Sequence, residues 1–215
     1  MFNKLVLLPE GTLRDKINEY SKKSFFPIEN IYVMDQSKRS KRMNAYFLGY
    51  GKKRRLVLFD TLIEKMSDEE IVAILAHETG HAKHKDYLRR MPISLLNIGI
   101  ILFMLFFFLS SNDLSDAFGF SSSTFVFGFL VFFEVISLIG MFTSIITNYI
   151  SRKHEYAADK YAAQTYSKVH MISALKVLAR EELVNLAPNK IVVLMTYSHP
   201  PIAQRINAIE DLKQV

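Results

Sequence analysis

The sequence predicts a mainly α-helical fold of the α+β class, with a small β-sheet and a two-helix membrane hairpin inserted into it. The hairpin is predicted by two long apolar segments, residues 92–109 and 124–147. The sheet is predicted by three short segments rich in Val, Tyr, Phe and Leu, which lie at residues 31–34, 43–48 and 55–59. An amphipathic helix at residues 12–24 precedes these strands.

Composition limits the chemistry that the chain can perform. Its 215 residues can bury a sizeable core, and 27 Lys and Arg against 21 Asp and Glu give a modest net charge of +6. Two basic clusters, at residues 38–42 and 52–55, favour anionic lipid headgroups or plain solvation over nucleic acid in a chain with a membrane hairpin. The absence of cysteine excludes disulfides, thiolate metal sites and cysteine nucleophiles, so any metal must be bound by His, Asp or Glu.

Both apolar segments approach the roughly 20 residues that a helix needs to cross the hydrocarbon. The first is apolar apart from Ser94 and Asn97, and the second carries one charge, Glu134. Phe and Leu cover every face of both helices, which makes two buried helices of a soluble protein the weaker alternative. A mid-span carboxylate is costly and is a functional candidate by default, but the sequence assigns Glu134 no role.

The charges around the hairpin predict its orientation. The linker, residues 110–123, contains Asp113 and Asp116 but no Lys or Arg, whereas basic residues lie at 83–90 and 152–153. The positive-inside rule therefore places the linker outside and both flanks in the cytoplasm. Since two spans return the chain to the side that it left, residues on either flank of the hairpin can share one site.

A helix is predicted to begin just after Ser67. Ser67 and Glu70 have the spacing of a capping box, in which each side chain binds a backbone N–H of the other residue. Apolar residues then recur at helical spacing, and we expect the helix to continue to about Arg90.

This helix carries the motif His-Glu-Thr-Gly-His at positions 77–81. His77 and His81 are one turn apart on one face, so both imidazoles can bind the same zinc ion. Glu78, beside the first of them, can accept a proton from the attacking water. Two solvated histidines on a charged helix are the less favoured alternative.

A catalytic zinc needs a third protein ligand. His84 lies about 10 Å along the same helix from His77, which is too far to share the ion. Glu155, just after the second span, is the better candidate. Asp159 lies one turn further on the same face and can accept the N–H of a zinc histidine, most plainly His77. An exposed acidic helix face is the alternative for this pair.

Taken together, the motifs resemble the integral-membrane zinc metalloendopeptidases of the CAAX prenyl protease type 1 family. The matching segments cover nearly the whole chain and lie at residues 8–11, 37–40, 44–47, 57–62, 77–81, 155–159, 197–201 and 205. The Asn-Ala-Tyr-Phe and Ser-His-Pro-Pro elements, at 44–47 and 198–201, are more specific than the metal motif, which many peptidases share.

The resemblance implies a zincin-type metallopeptidase domain with one Zn²⁺ per chain. The zinc ligands and the general base that it implies are His77, His81, Glu155 and Glu78.

Three further residues receive a role from the resemblance alone. His199 and Arg205 would stabilise the oxyanion or hold the site, and Asn44 would lie on an edge strand that receives substrate as an added strand. A residue at a helix start ahead of Pro200 is the alternative for His199, and an ordinary polar residue near a turn is the alternative for Asn44.

We predict a single domain over residues 1–215. Its parts are an α+β segment at 1–66, the metal-motif helix at 67–91, the membrane hairpin at 92–149, and C-terminal helices with the third ligand at 150–215. Members of the family carry further membrane helices before this region, so we expect the chain to correspond to their C-terminal catalytic half or to a reduced form of the family.

The predicted function is that of a membrane-embedded zinc metalloendopeptidase that hydrolyses peptide bonds with activated water. Its expected partners are the lipid bilayer and a peptide or membrane-protein substrate, including C-terminal prenylated peptides, and no nucleic acid. We expect a multi-pass protein with its active site on the cytoplasmic side. The alternatives are a heat-shock-type quality-control zinc protease and a non-catalytic membrane scaffold, against which the intact Glu78 argues.

Overall fold

The computed structural model describes residues 4–49, 51–110, 112–119 and 125–213. The chain forms two compact units. One comprises the chain up to His84, Arg152–Asn189 and the chain from His199 onward, and the other comprises Lys85–Ser151 and Lys190–Ser198. The predicted fold class is confirmed, because the described residues are mainly helical and include one small mixed sheet.

The first unit contains a four-stranded sheet in the order β1-β2-β4-β3. The strands are β1 (Leu5–Leu7), β2 (Asn30–Met34), β3 (Ala45–Leu48) and β4 (Arg55–Phe59). β2 and β4 pair in parallel, while β1 with β2 and β3 with β4 pair antiparallel. The three predicted strands are therefore present, β1 was not predicted, and β3 forms one edge of the sheet.

The helices of the first unit pack with this sheet around one apolar core. They are α1 (Thr12–Lys23), α2 (Asp60–Lys65), α3 (Asp68–His84), the end of α6 (Phe125–Ala162), α7 (Lys168–Glu181) and α9 (Ile202–Glu210). A π-helical turn, Ala163–Ser167, joins α6 to α7. The core between sheet and helices is apolar, and its largest fully buried side chains include Ile17, Leu56, Leu58, Leu75 and Leu175.

The predicted capping box at the start of α3 is present. The Ser67 N–H donates to Glu70 Oε2 at 2.8 Å, and the Glu70 N–H donates to Ser67 Oγ at 3.3 Å. The predicted end of this helix was wrong, because α3 ends at His84 and not near Arg90. Lys85 adopts a left-handed φ of 56°, which breaks the helix without a glycine.

The second unit contains the predicted hairpin. Two helices, α4 (Asp86–Ser110) and the one that begins at Phe125, are long and apolar enough to cross a membrane. Their apolar side chains are largely exposed, as expected for helices in lipid. A short helix, α5 (Asn112–Ala117), lies in the linker, whereas residues 111 and 120–124 of the predicted hairpin lie outside the described residues.

A short apolar helix, α8 (Lys190–Thr196), packs against α6 within this unit. The Asn148 amide and the Ser144 hydroxyl both donate to the carbonyl of Met195, at 2.9 and 3.3 Å. Polar side chains of the second span therefore satisfy a carbonyl in the last turn of α8.

Candidate metal centre

Two imidazoles of α3 meet on one side of the helix. His77 Nε2 and His81 Nε2 are 3.1 Å apart, as the one-turn spacing predicts. His77 is buried and His81 is partly exposed. One imidazole is therefore fixed within the protein, while the other borders solvent.

Glu155 completes the group from α6. Its Oε2 lies 3.5 Å from His77 Nε2, and its Oε1 lies 3.4 Å from His81 Nε2. Glu155 lies beyond the apolar segment of α6 and is buried. The structure thus brings the two motif histidines together with the carboxylate that was predicted to be the third ligand.

The contact between α3 and α6 depends on Gly80. A Cβ at this position would lie 3.0 Å from the Cα of Ala158 and 3.2 Å from the Cβ of Tyr161. Glycine therefore lets the two backbones approach closely, one turn from Glu155. Sequence reasoning did not use this glycine, although a glycine inside a helix opposite small residues is a recognisable sign of close packing.

The spacing of the three side chains fits a tetrahedral metal ion. Zinc bonds of 2.0–2.1 Å at tetrahedral angles place neighbouring ligand atoms about 3.3 Å apart. The distances here run from 3.1 to 3.5 Å. Moreover, Glu155 Oε2 is a buried oxygen without a hydrogen-bond partner among the described residues, which a cation would satisfy.

Glu78 lies beside this group on α3 and is half-buried. Burial raises the pKa of its carboxyl, while the nearby imidazoles of His77 and His81 oppose that change. It does not belong to the three-residue group that could hold a metal. Its position is consistent with the predicted role in proton transfer and not with one in ligation.

A buried ion pair between Asp159 and Arg205 lies on the Nδ1 side of the His77 imidazole. His77 Nδ1 lies 2.9 Å from Asp159 Oδ1, so its N–H points at the carboxylate and Nε2 is left for a metal. Arg205, from α9, donates to both oxygens of Asp159, from Nε at 2.7 Å and from Nη2 at 2.6 Å. This bidentate pair fixes the carboxylate that orients the imidazole.

The carboxyl groups of Asp159 and Glu155 are held in their charged form. Burial by itself raises the pKa of Asp159, but the hydrogen bonds from Arg205 and His77 outweigh it and lower the pKa. The pKa of Glu155 is likewise lowered, since burial opposes ionisation but the neighbouring imidazoles and Arg205 favour it. Both groups therefore present negative charge to the centre.

The position of Arg205 bears on the two roles that the resemblance left open for it. The residue is buried, and its Nη1 lies 3.4 Å from Glu155 Oε2, in addition to its contacts with Asp159. Because its guanidinium pairs with two buried carboxylates, we favour the role in which Arg205 holds the site over the role in which it contacts substrate.

His199 lies in the segment between α8 and α9, next to Glu155, the predicted third ligand. Its Nδ1 is 3.0 Å from Glu155 Oε2 but lacks hydrogen-bond geometry to it, and its side chain is 65% exposed. His199 is thus at the solvent-facing side of the centre, where a bound substrate could reach it.

The remaining candidates lie apart from the three ligand atoms. His84, the last residue of α3, stacks edge-on against Tyr161 and is not in the group that could hold a metal. Asn44 is exposed and immediately precedes β3, and its carbonyl accepts the N–H of Phe59 at 3.0 Å. Its carbonyl therefore pairs with the last residue of β4, one residue before the edge strand β3 begins, and its predicted role in substrate binding stays a prediction.

We expect Asp159→Asn to weaken metal binding by roughly 10–100-fold while the fold is retained, because the amide cannot hold the His77 imidazole as a carboxylate does. Competition with a chromogenic chelator measures this change. The matched control is Asp15→Asn, an exposed carboxylate on α1. Unchanged affinity in Asp159→Asn would show that the ion pair with Arg205 serves the fold alone.

Comparison with known proteins identifies the family of this chain, while the roles of the individual residues stay predictions. Residues 7–213 match the profile of peptidase family M48. The CAAX prenyl protease 1 homolog of Oryza sativa subsp. japonica is 35% identical over 98% of this chain and 50% of its own length. CAAX prenyl protease 1 of Saccharomyces cerevisiae is 32% identical over 100% of this chain and 51% of its own length.

The fold agrees as well. The crystal structure of S. mikatae Ste24p superposes with a TM-score of 0.86 at 30% identity, over 97% of this chain and 52% of that one. The chain spans about half the length of the curated relatives that it matches. The predicted resemblance is confirmed, and the chain belongs to peptidase family M48.

Proposed function

We propose that this chain is the catalytic part of a membrane-bound zinc metalloendopeptidase. The observation that carries the proposal is the set of three ligand atoms, from His77, His81 and Glu155, at tetrahedral spacing beside the carboxylate of Glu78. Membership of a metallopeptidase family implies a metal cofactor. Two imidazoles and one carboxylate in a chain without cysteine are a donor set that suits zinc.

The residues have separate tasks in the proposed reaction. A bound zinc ion would polarise the peptide carbonyl and acidify water. Glu78 accepts the proton of the attacking water and then passes it to the departing amine. Asp159 and Arg205 hold His77 in place, and His199 donates to the carbonyl oxygen as it gains charge.

Substrate is proposed to bind as an extended strand along β3. This strand is at an edge of the sheet and lies against the metal helix α3. An extended peptide that pairs with such an edge presents its backbone in a fixed register to the neighbouring groups, with Asn44 at the start of the strand. Peptides with a prenylated C-terminus are the substrate class that the names of the relatives indicate.

The proposed activity can be tested on the purified, detergent-solubilised chain. We expect about one zinc per chain, cleavage of a quenched-fluorescence peptide, loss of cleavage on treatment with a chelator, and recovery when zinc is added back. A chain that binds zinc but cleaves neither prenylated nor unprenylated peptides would favour the scaffold alternative. Cleavage that survives complete removal of metal would contradict the proposal directly.

We expect His199→Ala to retain zinc and the fold, yet to lower kcat by about 10²–10³ with little change in KM, as loss of one oxyanion donor does. Steady-state kinetics on preparations matched for zinc content measure the two constants. His170→Ala, on α7, is the control histidine. Near-normal turnover of His199→Ala would show that His199 has no part in catalysis and only precedes the start of α9.

The orientation of the hairpin is also a proposal, with the linker outside and the metal centre in the cytoplasm. Because the chain has no cysteine, single cysteines can report it. We expect an impermeant thiol reagent on intact cells to label Asp116→Cys, in the linker, but not Glu182→Cys, after α7. The reverse pattern would invert the orientation, and equal labelling would argue against the hairpin.

A further inference from the structure

The C-terminal end of helix α1 places a phenylalanine where a glycine is usual. The N–H of Phe26 donates to the carbonyl of Ser21 at 3.0 Å, and the N–H of Phe25 donates to that of Lys22 at 3.2 Å. This double closure is the Schellman motif, which requires a left-handed residue and is usually made by glycine. Here the left-handed residue is Phe25, with a φ of 50°. A bulky side chain at such a position strains the backbone.

Packing inside the protein does not compensate for this strain. The neighbouring Phe26 is buried and its ring lies 5.0 Å from that of Phe47. Phe25, in contrast, is 88% exposed. The ring of Phe25 therefore makes almost no contact with its own unit and is available to something outside it.

The surroundings of Phe25 are cationic. Lys22 and Lys23 precede it and are exposed, and the guanidinium of Arg54 lies 4.1 Å from the centre of the Phe26 ring. The nearby Glu29 faces Arg55 at 3.5 Å, so one acidic neighbour is already paired. We call the exposed end of α1 the Phe25 patch, defined as Phe25, Lys22 and Lys23.

The same chain contains a matched counterexample. Helix α7 ends in a second Schellman motif, in which Leu183 has a φ of 51° and is 90% exposed. Its preceding residues are Glu181 and Glu182. Two bulky apolar residues thus occupy the same kind of strained, exposed position, one after two lysines and the other after two glutamates.

We propose that the Phe25 patch docks on the anionic surface of the bilayer that the chain's own apolar helices enter. A Phe ring that follows two exposed lysines suits the headgroup boundary, where the ring enters the acyl region and the cations meet lipid phosphates. Leu183, beside two carboxylates, is repelled from the same surface.

The absence of tryptophan from the chain makes this contact directly measurable. Phe25→Trp introduces a single fluorophore at the patch, and Leu183→Trp does so at the matched position. Each full-length variant is reconstituted in nanodiscs whose lipids carry brominated acyl chains, either phosphatidylcholine alone or with phosphatidylglycerol. We expect a blue shift and quenching of Phe25→Trp that are at least twofold greater with phosphatidylglycerol, and neither change in Leu183→Trp.

A charge reversal separates the lipid contact from simple burial of the ring. In the Phe25→Trp background, Lys22→Glu with Lys23→Glu should bring the quenching in anionic nanodiscs down to that of Leu183→Trp, with the thermal unfolding midpoint as a check on folding. Quenching of Phe25→Trp no greater than that of Leu183→Trp would overturn the proposal. So would an emission shift caused by an acidic peptide or an oligonucleotide in detergent but not by lipid, since the patch would then bind that polymer.

Discussion

Glu78→Gln should retain its metal and lose hydrolysis. Glu78 is absent from the group of three side chains whose ligand atoms face one another, so the amide leaves the metal centre intact. The amide cannot accept a proton from water, however, and loss of a general base typically costs about 10²–10⁴ in rate. The near-identical shape of the two side chains makes this the most direct separation of metal binding from catalysis.

The measurement is metal content by elemental analysis, together with kcat/KM on a quenched peptide. Glu19→Gln, an exposed glutamate on α1, is the control for the change of charge. Its metal content and activity should match those of the unmodified chain. If Glu78→Gln loses its metal along with its activity, the proton-transfer role assigned to Glu78 is wrong and the carboxylate is a ligand.

Glu155→Ala should lose metal affinity by more than the 10–100-fold expected for a residue that only supports a ligand. The substitution removes one of three ligand groups and leaves Arg205 Nη1, 3.4 Å from the lost oxygen, without that counter-charge. Removal of one partner of a buried ion pair commonly costs about 3–5 kcal/mol, so the apo form should be less stable as well. Glu155→Gln, which keeps the shape but not the charge, tests whether both losses follow from the missing charge and not from the missing side chain.

His84→Ala is the matched control for this prediction. His84 is a histidine of the same helix as His77 and His81, but it lies at the end of α3 and against Tyr161. Competition with a chromogenic chelator should therefore rank Glu155→Ala far below Asp159→Asn, with His84→Ala unchanged. An order in which His84→Ala binds metal most weakly would place the third ligand on α3.

Several local features could be predicted from the sequence because they depend on interactions between residues close together in the chain. The capping box of Ser67 and Glu70, the one-turn spacing of His77 and His81, and the apolar segments all express short-range preferences or bulk hydrophobicity. The end of α3 did not follow, because it rests on the left-handed conformation of Lys85. Lysine has no particular preference for the left-handed conformation, so the sequence does not predict a helix end at this position.

The sequence by itself predicted the types of ligand, the residue beside them that is proposed to move a proton, and the two apolar helices. Only the tertiary structure decided how these parts meet. Gly80 lets α6 approach α3, and this brings Glu155 to the two imidazoles. Arg205 forms a bidentate ion pair with Asp159. These contacts join residues far apart in the chain, and their distances depend on the packing of whole helices, which a motif does not encode.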